Sequence, residues 1–408
     1  MSDVTKFLIT KINAEEIKDS RGNPTLKITV WADVLSGSFS VPSGASTGVH
    51  EAHELRDPNG KDIKNAMQKV NSVIAPVLVG QNVLNQKEID RIMIEMDGTP
   101  NKDNLGGNSM VGVSIACAKM AAKAMGQEVY QYLRTLAEIK SSRKTPYLFM
   151  NLIEGGKHTD NGLAFQEYHI VPETSDVKEA VDIGIKVQNT LKEIIIKDLG
   201  EKSIILGDEG GFAPKTKDIR KPLIYLTEAI QQNNLQDKVH LALDVAASSF
   251  YKDGNYQIAG ENVSKEELMK LYESLISEFN LFSIEDPFSE EDFEDFRKLK
   301  NNHKNLIVVG DDLTVTNKLR LKEAIEARSI NAMIIKPNQI GTLSETLETM
   351  QLARENDIEL IVSHRSGETE DDFIADLAFS FGCFGLKAGS FQKAERMIKY
   401  KRLIQIQE

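Results

Sequence analysis

Six apolar runs in the C-terminal half of the chain each end in an ionisable side chain: HLALD at Asp244, LFSIE at Glu285, LIVVGD at Asp311, AMIIK at Lys336, LIVSH at His364 and GCFGLK at Lys387. Three acids followed by two amines and an imidazole describe a cation site facing a base. Asp244, Glu285 and Asp311 offer hard oxygen ligands without sulfur or nitrogen, a set that suits Mg²⁺. Unpaired acids so close together raise one another's pKa, and a divalent cation removes that penalty. Lys336 belongs to the next run. Neighbouring cations, bound metal and Lys387 among them, are expected to disfavour its ammonium form, making it a base for a proton alpha to a carboxylate. A salt bridge from Lys336 to one of the acids is the competing expectation for the resting state.

Other residues extend this chemistry. His364-Arg365-Ser366-Gly367 ends a strand-like run and precedes GETEDDF, expected to open a helix; a guanidinium, a hydroxyl and turn N–H groups there can hold a phosphate. Gly207-Asp208-Glu209-Gly210-Gly211 follows the strand-like SIIL, so Glu209 is expected at the same rim, opposite the lysine, as a general acid on a leaving hydroxyl. Gln166, Glu167 and His158 can complete the acid side. The stretch 42–48, PSGASTG, has the small polar composition of a closing lid. Each of these also has a plain reading, as a turn, a linker or a solvated acid. His50-Glu51-Ala52-His53 looks like a zinc helix, but its histidines are not spaced as HExxH requires, so surface histidines are expected. His303 reads as a solvated loop residue, and His169 and His240 as packed or hydrogen-bonded. GxGxxG and GxxxxGK[ST] are absent, which leaves a dinucleotide fingerprint or a P-loop unsupported.

The rim residues are 23 to 41 positions apart, about one strand, one loop and one helix. That period predicts successive βα units with parallel, buried strands, and in a closed barrel of such units charges at the strands' C-terminal ends read as catalytic. Ser264 with Glu267 and Thr342 with Glu345 supply helix-start capping boxes inside the units. Upstream, residues 1 to about 60 read as a small antiparallel meander, with DSRGNP as a turn and KITVWADV and SFSVP as strands separated by Ser36 and Gly37. Helical patterns follow in IKNAMQKVNSVIAPVL, QKEIDRIMIEM and NSMVGVSIACAKMAAKAM. The polar, proline-ended segment 136–146 marks a boundary, which puts an N-terminal α+β domain at 1–138 and an α/β barrel at 139–408. A length of 408 residues fits such a pair. Cys117 and Cys383 are expected as reduced core thiols, since two cysteines build neither a disulfide framework nor a CxxC site. The net charge of -12 argues against a nucleic-acid or anionic-membrane surface. With no long apolar run and no leader pattern at MSDVTKFLIT, a cytoplasmic chain is expected.

The motifs DSRGNPT (19–25), VPSGASTGVHEA (41–52), FQEY (165–168), GDEGGFAP (207–214), SIEDPF (283–288), GDDLTVTN (310–317), IIKPNQIGT (334–342) and SHRSGETEDDFIADL (363–377) together resemble the enolases, the phosphopyruvate hydratases, in family order over essentially the whole chain. The resemblance implies an eight-stranded α/β barrel whose first strands depart from strict alternation. It further implies reversible dehydration of 2-phosphoglycerate to phosphoenolpyruvate with two Mg²⁺ ions. By motif, Asp244, Glu285 and Asp311 match ligands of the first metal, and Ser46 matches a ligand of the second. Lys336 matches the proton acceptor and Glu209 the proton donor, supported by Glu167. Arg365 and Ser366 match the phosphate contacts, while His158, Gln166, His364 and Lys387 match the remaining substrate contacts. A homodimer or a ring of dimers is implied as well. The chain departs from the family at KAGSFQKAER (387–396), where KTGAxARxER is usual, and at IEGGKHTDN, where an Asn commonly precedes the Gly pair. Other acid dehydratases or racemases of the wider superfamily would share the three carboxylates but need no phosphate contacts. A low-activity paralogue or a non-catalytic binding protein on the same fold are the further alternatives.

Overall fold

The computed structural model describes residues 7–44, 48 and 50–408. The N-terminal meander is β1 (Ile9–Lys18), β2 (Pro24–Ala32) and β3 (Leu35–Ser40), antiparallel throughout. Asp19 closes the first turn, its Oδ1 accepting the N–H groups of Arg21 and Asn23. The second reversal falls at Asp33 and Val34, with Asp33 left-handed at φ 52°, and not at Ser36 and Gly37. Those two lie within β3. Glycine is required at 37 because a Cβ would stand 2.3 Å from the Met120 nitrogen, so the helix that carries Met120 lies directly on the sheet there.

The first helical stretch runs as α1 (Lys64–Gln68), a wide turn Lys69–Ile74 and α2 (Ala75–Leu78). In the wide turn Asn71 bonds both the N–H and the carbonyl of Ala14. α3 (Gln86–Asp97), α4 (Gly107–Ala124) and α5 (Val129–Leu133) follow. Most positions of α4 are buried, which explains its small residues: the helix lies between the meander and the barrel domain.

Eight strands close a barrel in the order β10-β11-β12-β13-β14-β4-β5-β6. They are β4 (Tyr147–Glu154), β5 (Glu167–Pro172), β6 (Val239–Asp244), β10 (Ser283–Glu285), β11 (Ile307–Gly310), β12 (Ala332–Ile335), β13 (Glu359–Ser363) and β14 (Gly385–Lys387). The long gap after Asp244 holds an excursion, the antiparallel ribbon β7 (Tyr251–Lys252), β8 (Asn255–Ile258) and β9 (Glu261–Val263). Around the strands run α6 (Val177–Leu199), α7 (Lys221–Gln232), α8 (Lys265–Phe279), α9 (Phe293–Asn302), α10 (Lys318–Ala327), α11 (Leu343–Glu355), α12 (Phe373–Ser380) and α13 (Ala394–Gln407). Ser264 and Glu267 form the expected capping box on α8, and Thr342 accepts the Glu345 N–H on α11.

Two further expectations fail. SIIL is not a strand: Leu206 forms only an isolated bridge to Phe212, and Ile205 is 57% exposed, because β4 pairs with β5 and β14 and leaves no slot for another strand. GETEDD is loop, and α12 begins only at Phe373.

β5 runs antiparallel to both of its neighbours, whereas the other barrel pairings are parallel. Its first residue, Glu167, therefore arrives at the rim where the parallel strands end. Register then aligns Glu154 with Glu167, Glu167 with Asp244 and Asp244 with Glu285. This row of four carboxylates spans adjacent strands. The opposite end of the lumen is closed by rings: Tyr147, Phe149, Phe282 and Phe384 pack with centroids 5.3 to 6.4 Å apart, and His240 stacks on Phe282 at 4.7 Å.

The meander domain sits on the rim. Ser43 and Gly367 exchange backbone hydrogen bonds, Lys119 pairs with Asp371 at 2.7 Å, and Lys102 with Glu345 at 2.8 Å. Among the described residues, no helix is long and apolar enough to cross a membrane. Cys117 and Cys383 are buried free thiols.

Candidate active site

Rim residues of the barrel and the overlying domain line one cavity, in which Glu51, His158, Glu167, Glu209, Lys336 and Lys387 all take part. Gln166, Asp244, Asp311, His364, Arg365 and Ser366 line it too. Glu285 stands just beside them and reaches the same lysine as Asp244. Ser46, expected in a closing lid, lies outside the described residues, as do the rest of 45–47 and residue 49.

The chain turns into this site through left-handed residues other than glycine. Ala246, Asp286, Val315 and Thr316 have φ of 46°, 43°, 43° and 54°, each one or a few residues beyond a rim acid. A β-branched residue such as Val315 resists that conformation, so the backbone here is strained in the manner of functional sites. Asp286 uses its position to accept the N–H groups of Asp311 and Asp312 at 2.9 and 2.7 Å.

Lys387 is 2% exposed and meets Asp244 at 2.7 Å, Glu285 at 3.0 Å and Glu167 at 3.3 Å. Burial disfavours its charge, but these acids outweigh burial and hold its pKa well above the ordinary value. Lys336 pairs with Asp311. Burial again pulls the ammonium pKa down, yet Asp311 wins and raises it. The expected depression of Lys336 is therefore not met in this charge arrangement, and the resting salt bridge is.

The acid row is strongly biased. Burial, then the charge of Asp244, pushes Glu285 well above the carboxylate range, while Asp244, beside Lys387, is held at about 2 against its own burial. The donor set fits a hard divalent cation: carboxylates only, on adjacent strand ends, with ammonium groups already between them. Asp286, Asp311 and Asp312 form an acidic cluster whose oxygens lie within 4.8 Å of one another and could hold a metal ion. The structure thus draws Asp311 towards Asp286 and Asp312, and Asp244 with Glu285 towards Lys387. Gln166 Oε1 is buried without a protein partner beside Asp244.

On the other wall Glu209 accepts a hydrogen bond from Asn151 at 3.1 Å and lies 3.1 Å from His364 Nε2 and 3.8 Å from His158 Nε2. Burial raises the Glu209 pKa, but the two rings and the Arg396 charge outweigh it and hold it well below the ordinary value. Burial lowers His364 to about 3 and lowers His158 as well, which favours the neutral form of both rings. Glu167 is pushed well above its ordinary pKa, by burial and then by the charge of Glu209. Its partner His169 sits at 2.8 Å as a hydrogen-bonded strand residue, and His240 likewise meets Glu173 at 2.9 Å.

Several residues here carried no signal in the motifs. Arg365 is buried against Glu51 at 2.9 Å, so the middle of the apparent zinc stretch is an ion-pair partner of the rim. His50 instead reaches Glu291, and His53 is exposed. Glu154 is fully buried and accepts the N–H groups of Glu209 and Gly211, with Gly207 packed so closely that a Cβ would stand 2.1 Å from Glu154 Oε2. Charged residues inside apolar text, such as Glu154 in FMNLIEGG, were the available cue. The altered turn after Lys387 is no outer surface: Ser390 is buried, donates its N–H to the Glu209 carbonyl and accepts from Gln188, while Lys393 holds the Asp208 carbonyl at 2.8 Å.

Residues 142–408 match the family "Enolase, C-terminal TIM barrel domain", and residues 9–133 match "Enolase, N-terminal domain". The enolase of Methanocaldococcus jannaschii is 46% identical over 99% of this chain and 96% of its own length. Those of Methanococcus aeolicus and Thermococcus kodakarensis are 44% and 43% identical, each over 98% of this chain and 95% of their own. On the fold, the rim constellation and these matches, the chain belongs to the enolase family.

Proposed function

We propose that the chain catalyses the reversible dehydration of 2-phosphoglycerate to phosphoenolpyruvate with Mg²⁺. One observation carries the reading: in the closed strand order, β12, which Lys336 directly follows, stands four strands from β5, which begins with Glu167, the support of the acid Glu209, so the base and the acid side lie across the rim cavity from each other. That is the placement an elimination needs, with the proton leaving one face of the substrate and hydroxide the other.

Asp244, Glu285 and Asp311 would hold one Mg²⁺ and Ser46 is assigned to the second. When bound, the metal supplies positive charge that stabilises the doubly charged carboxylate of the enolic intermediate. Lys336 takes the C2 proton, and it acts as a base once the Asp311 charge is engaged elsewhere than on its ammonium. Lys387 places a second positive charge at the substrate carboxylate, where the new charge develops. Arg365 and Ser366 hold the phosphate, Arg365 being oriented by Glu51 and by Asn338 at 3.2 Å. Glu209 protonates the leaving hydroxyl, supported by Glu167, whose raised pKa favours holding a proton, with His158 between the two; His364 and Gln166 position the substrate. The division at 138/139, a homodimer or ring of dimers, and a cytoplasmic location belong to the same reading, supported by the polar segment 136–146 and by the family.

The test is turnover of 2-phosphoglycerate by the purified chain, followed by ultraviolet absorbance of the enol product with and without chelator. A chain inert towards 2-phosphoglycerate in Mg²⁺, or equally fast on a hydroxy acid without phosphate, rejects it.

A further inference from the structure

Among the described residues Arg396 is the largest side chain fully withdrawn from solvent, and beyond its charge on Glu209 it has no part in the reaction described above. It projects from the first turn of α13, one turn before the equally buried Lys399, which holds Glu368 at 2.7 Å. One of its terminal nitrogens, Nη1, donates to His364 Nδ1 and to the Arg365 carbonyl at 2.6 Å. The other, Nη2, donates to the Ser366 carbonyl at 2.7 Å and reaches the Asp208 carbonyl at 3.4 Å. One guanidinium thus grips the ring of His364, the backbone of the next two residues and the loop that carries Glu209.

A guanidinium only donates and stays protonated in proteins, so the ring nitrogen that faces it must offer a lone pair. In a neutral imidazole the single proton then sits on Nε2. Nε2 stands 3.1 Å from Glu209 Oε2, within reach of a hydrogen bond though off its ideal direction. The opposite tautomer would turn an N–H on the guanidinium and a lone pair on the carboxylate, two repulsive contacts at once. The backbone of Gly389 packs against this group: a Cβ there would come within 3.1 Å of His364 Cε1, of Arg396 Cδ and of the Glu209 carbonyl oxygen, so the turn that brings them together requires glycine.

We propose that Arg396 is a positioning residue that fixes His364 in the Nε2–H tautomer, so that an N–H donor always faces Glu209. The consequence for the reaction rests on the reading of Glu209 as the acid of the site. A donor on Oε2 anchors one oxygen and leaves Oε1, which faces His158, as the atom that exchanges protons.

The tautomer can be read without any turnover. In the chain labelled with ¹⁵N-histidine, long-range ¹H–¹⁵N correlation should show His364, assigned by loss of its signals in His364→Gln, with a protonated Nε2 and an unprotonated Nδ1. Arg396→Met should mix or invert that pattern and lower kcat about tenfold to a hundredfold, the range for hydrogen-bond partners that orient functional histidines, with KM little changed. Arg396→Lys, which still presents a donor, should keep the Nε2–H form and recover part of kcat. A wild-type His364 protonated on Nδ1, or an Nε2–H form that persists in Arg396→Met, overturns the proposal. If Arg396→Met does not fold, the wild-type and Arg396→Lys spectra decide. A chain with the expected tautomer but no activity on 2-phosphoglycerate would reject the functional reading and leave the tautomer assignment standing.

Discussion

The two ends of one barrel lumen are built on opposite principles. At the bottom, Tyr147, Phe149, Phe282 and Phe384 fill the space with rings, a packing that gains free energy from burial alone. At the rim, Glu154, Glu167, Glu209, Asp244, Glu285, Lys336 and Lys387 are withdrawn from water in the same confined space, where each charge costs solvation unless a neighbour offsets it. The bottom stabilises the fold, and the rim uses that stability to hold charges in an arrangement they would not otherwise adopt.

This contrast can be broken from either end. Chelation should have the largest effect, abolishing turnover while Mg²⁺ restores it, and Asp311→Asn should weaken metal binding with circular dichroism unchanged. Full activity in excess EDTA would remove the metal from the rim. Lys336→Ala should lower kcat about 10² to 10⁴-fold, the contribution of a positioned base, and should end exchange of the C2 proton in D₂O. Glu209→Gln should keep that exchange while forming little phosphoenolpyruvate; the reverse pattern would swap base and acid. At the bottom, Phe149→Ala should cost ~3 to 5 kcal/mol of stability, read by denaturant melts, yet leave kcat of the folded protein unchanged. A catalytic defect of the same size would mean the two ends are not separable.

Arg365→Ala should weaken 2-phosphoglycerate binding by ~2 to 5 kcal/mol, and it also strands the buried Glu51 carboxylate, so a lower melting temperature accompanies the loss. Unchanged affinity would take the phosphate elsewhere. The smallest effect concerns Glu154, which burial and then the Glu209 charge push up to about 8 from an ordinary 4.5. The folded chain keeps a proton that the unfolded chain releases, so this residue's contribution to stability falls as pH rises from 4.5 to about 8. Melting temperatures of the natural chain and Glu154→Gln should diverge over that window, the natural chain losing ground towards the alkaline side; parallel curves would mean Glu154 is ionised in the fold.

The rim was legible in the sequence wherever chain period and residue type coincide. Asp244, Glu285, Lys336 and Lys387 each close or directly follow a short apolar strand, and parallel strands deliver their last residues to one end. Glu209 arrived at the expected rim by a different route, on a loop bonded back to β4 instead of a strand. What escaped reading is long-range pairing. The partner of Arg365 lies 314 positions away in Glu51, and that of His364 lies 32 positions on, in a helix whose pattern shows only that Arg396 and Lys399 share a face. Nor does composition reveal which way Lys336 titrates, because that depends on Asp311, its ion-pair partner, outweighing burial and the charges of Arg365 and Lys387.

The reversed direction of β5 has a consequence for how the protein folds. Because β4 and β5 form a hairpin at the rim and β6 pairs with β5 antiparallel, the carboxylates of Glu154, Glu167 and Asp244 are brought together by contacts between neighbouring strands. Their counter-charge on Lys387 lies 143 positions beyond Asp244 and reaches them only when β14 closes on β4. A pairing between distant positions must overcome more loop-closure entropy than one between near positions. The acid half of the site is thus assembled by strands that pair in chain order, and the amine that neutralises it comes with the last strand, which makes barrel closure the contact through which the charges of the site balance.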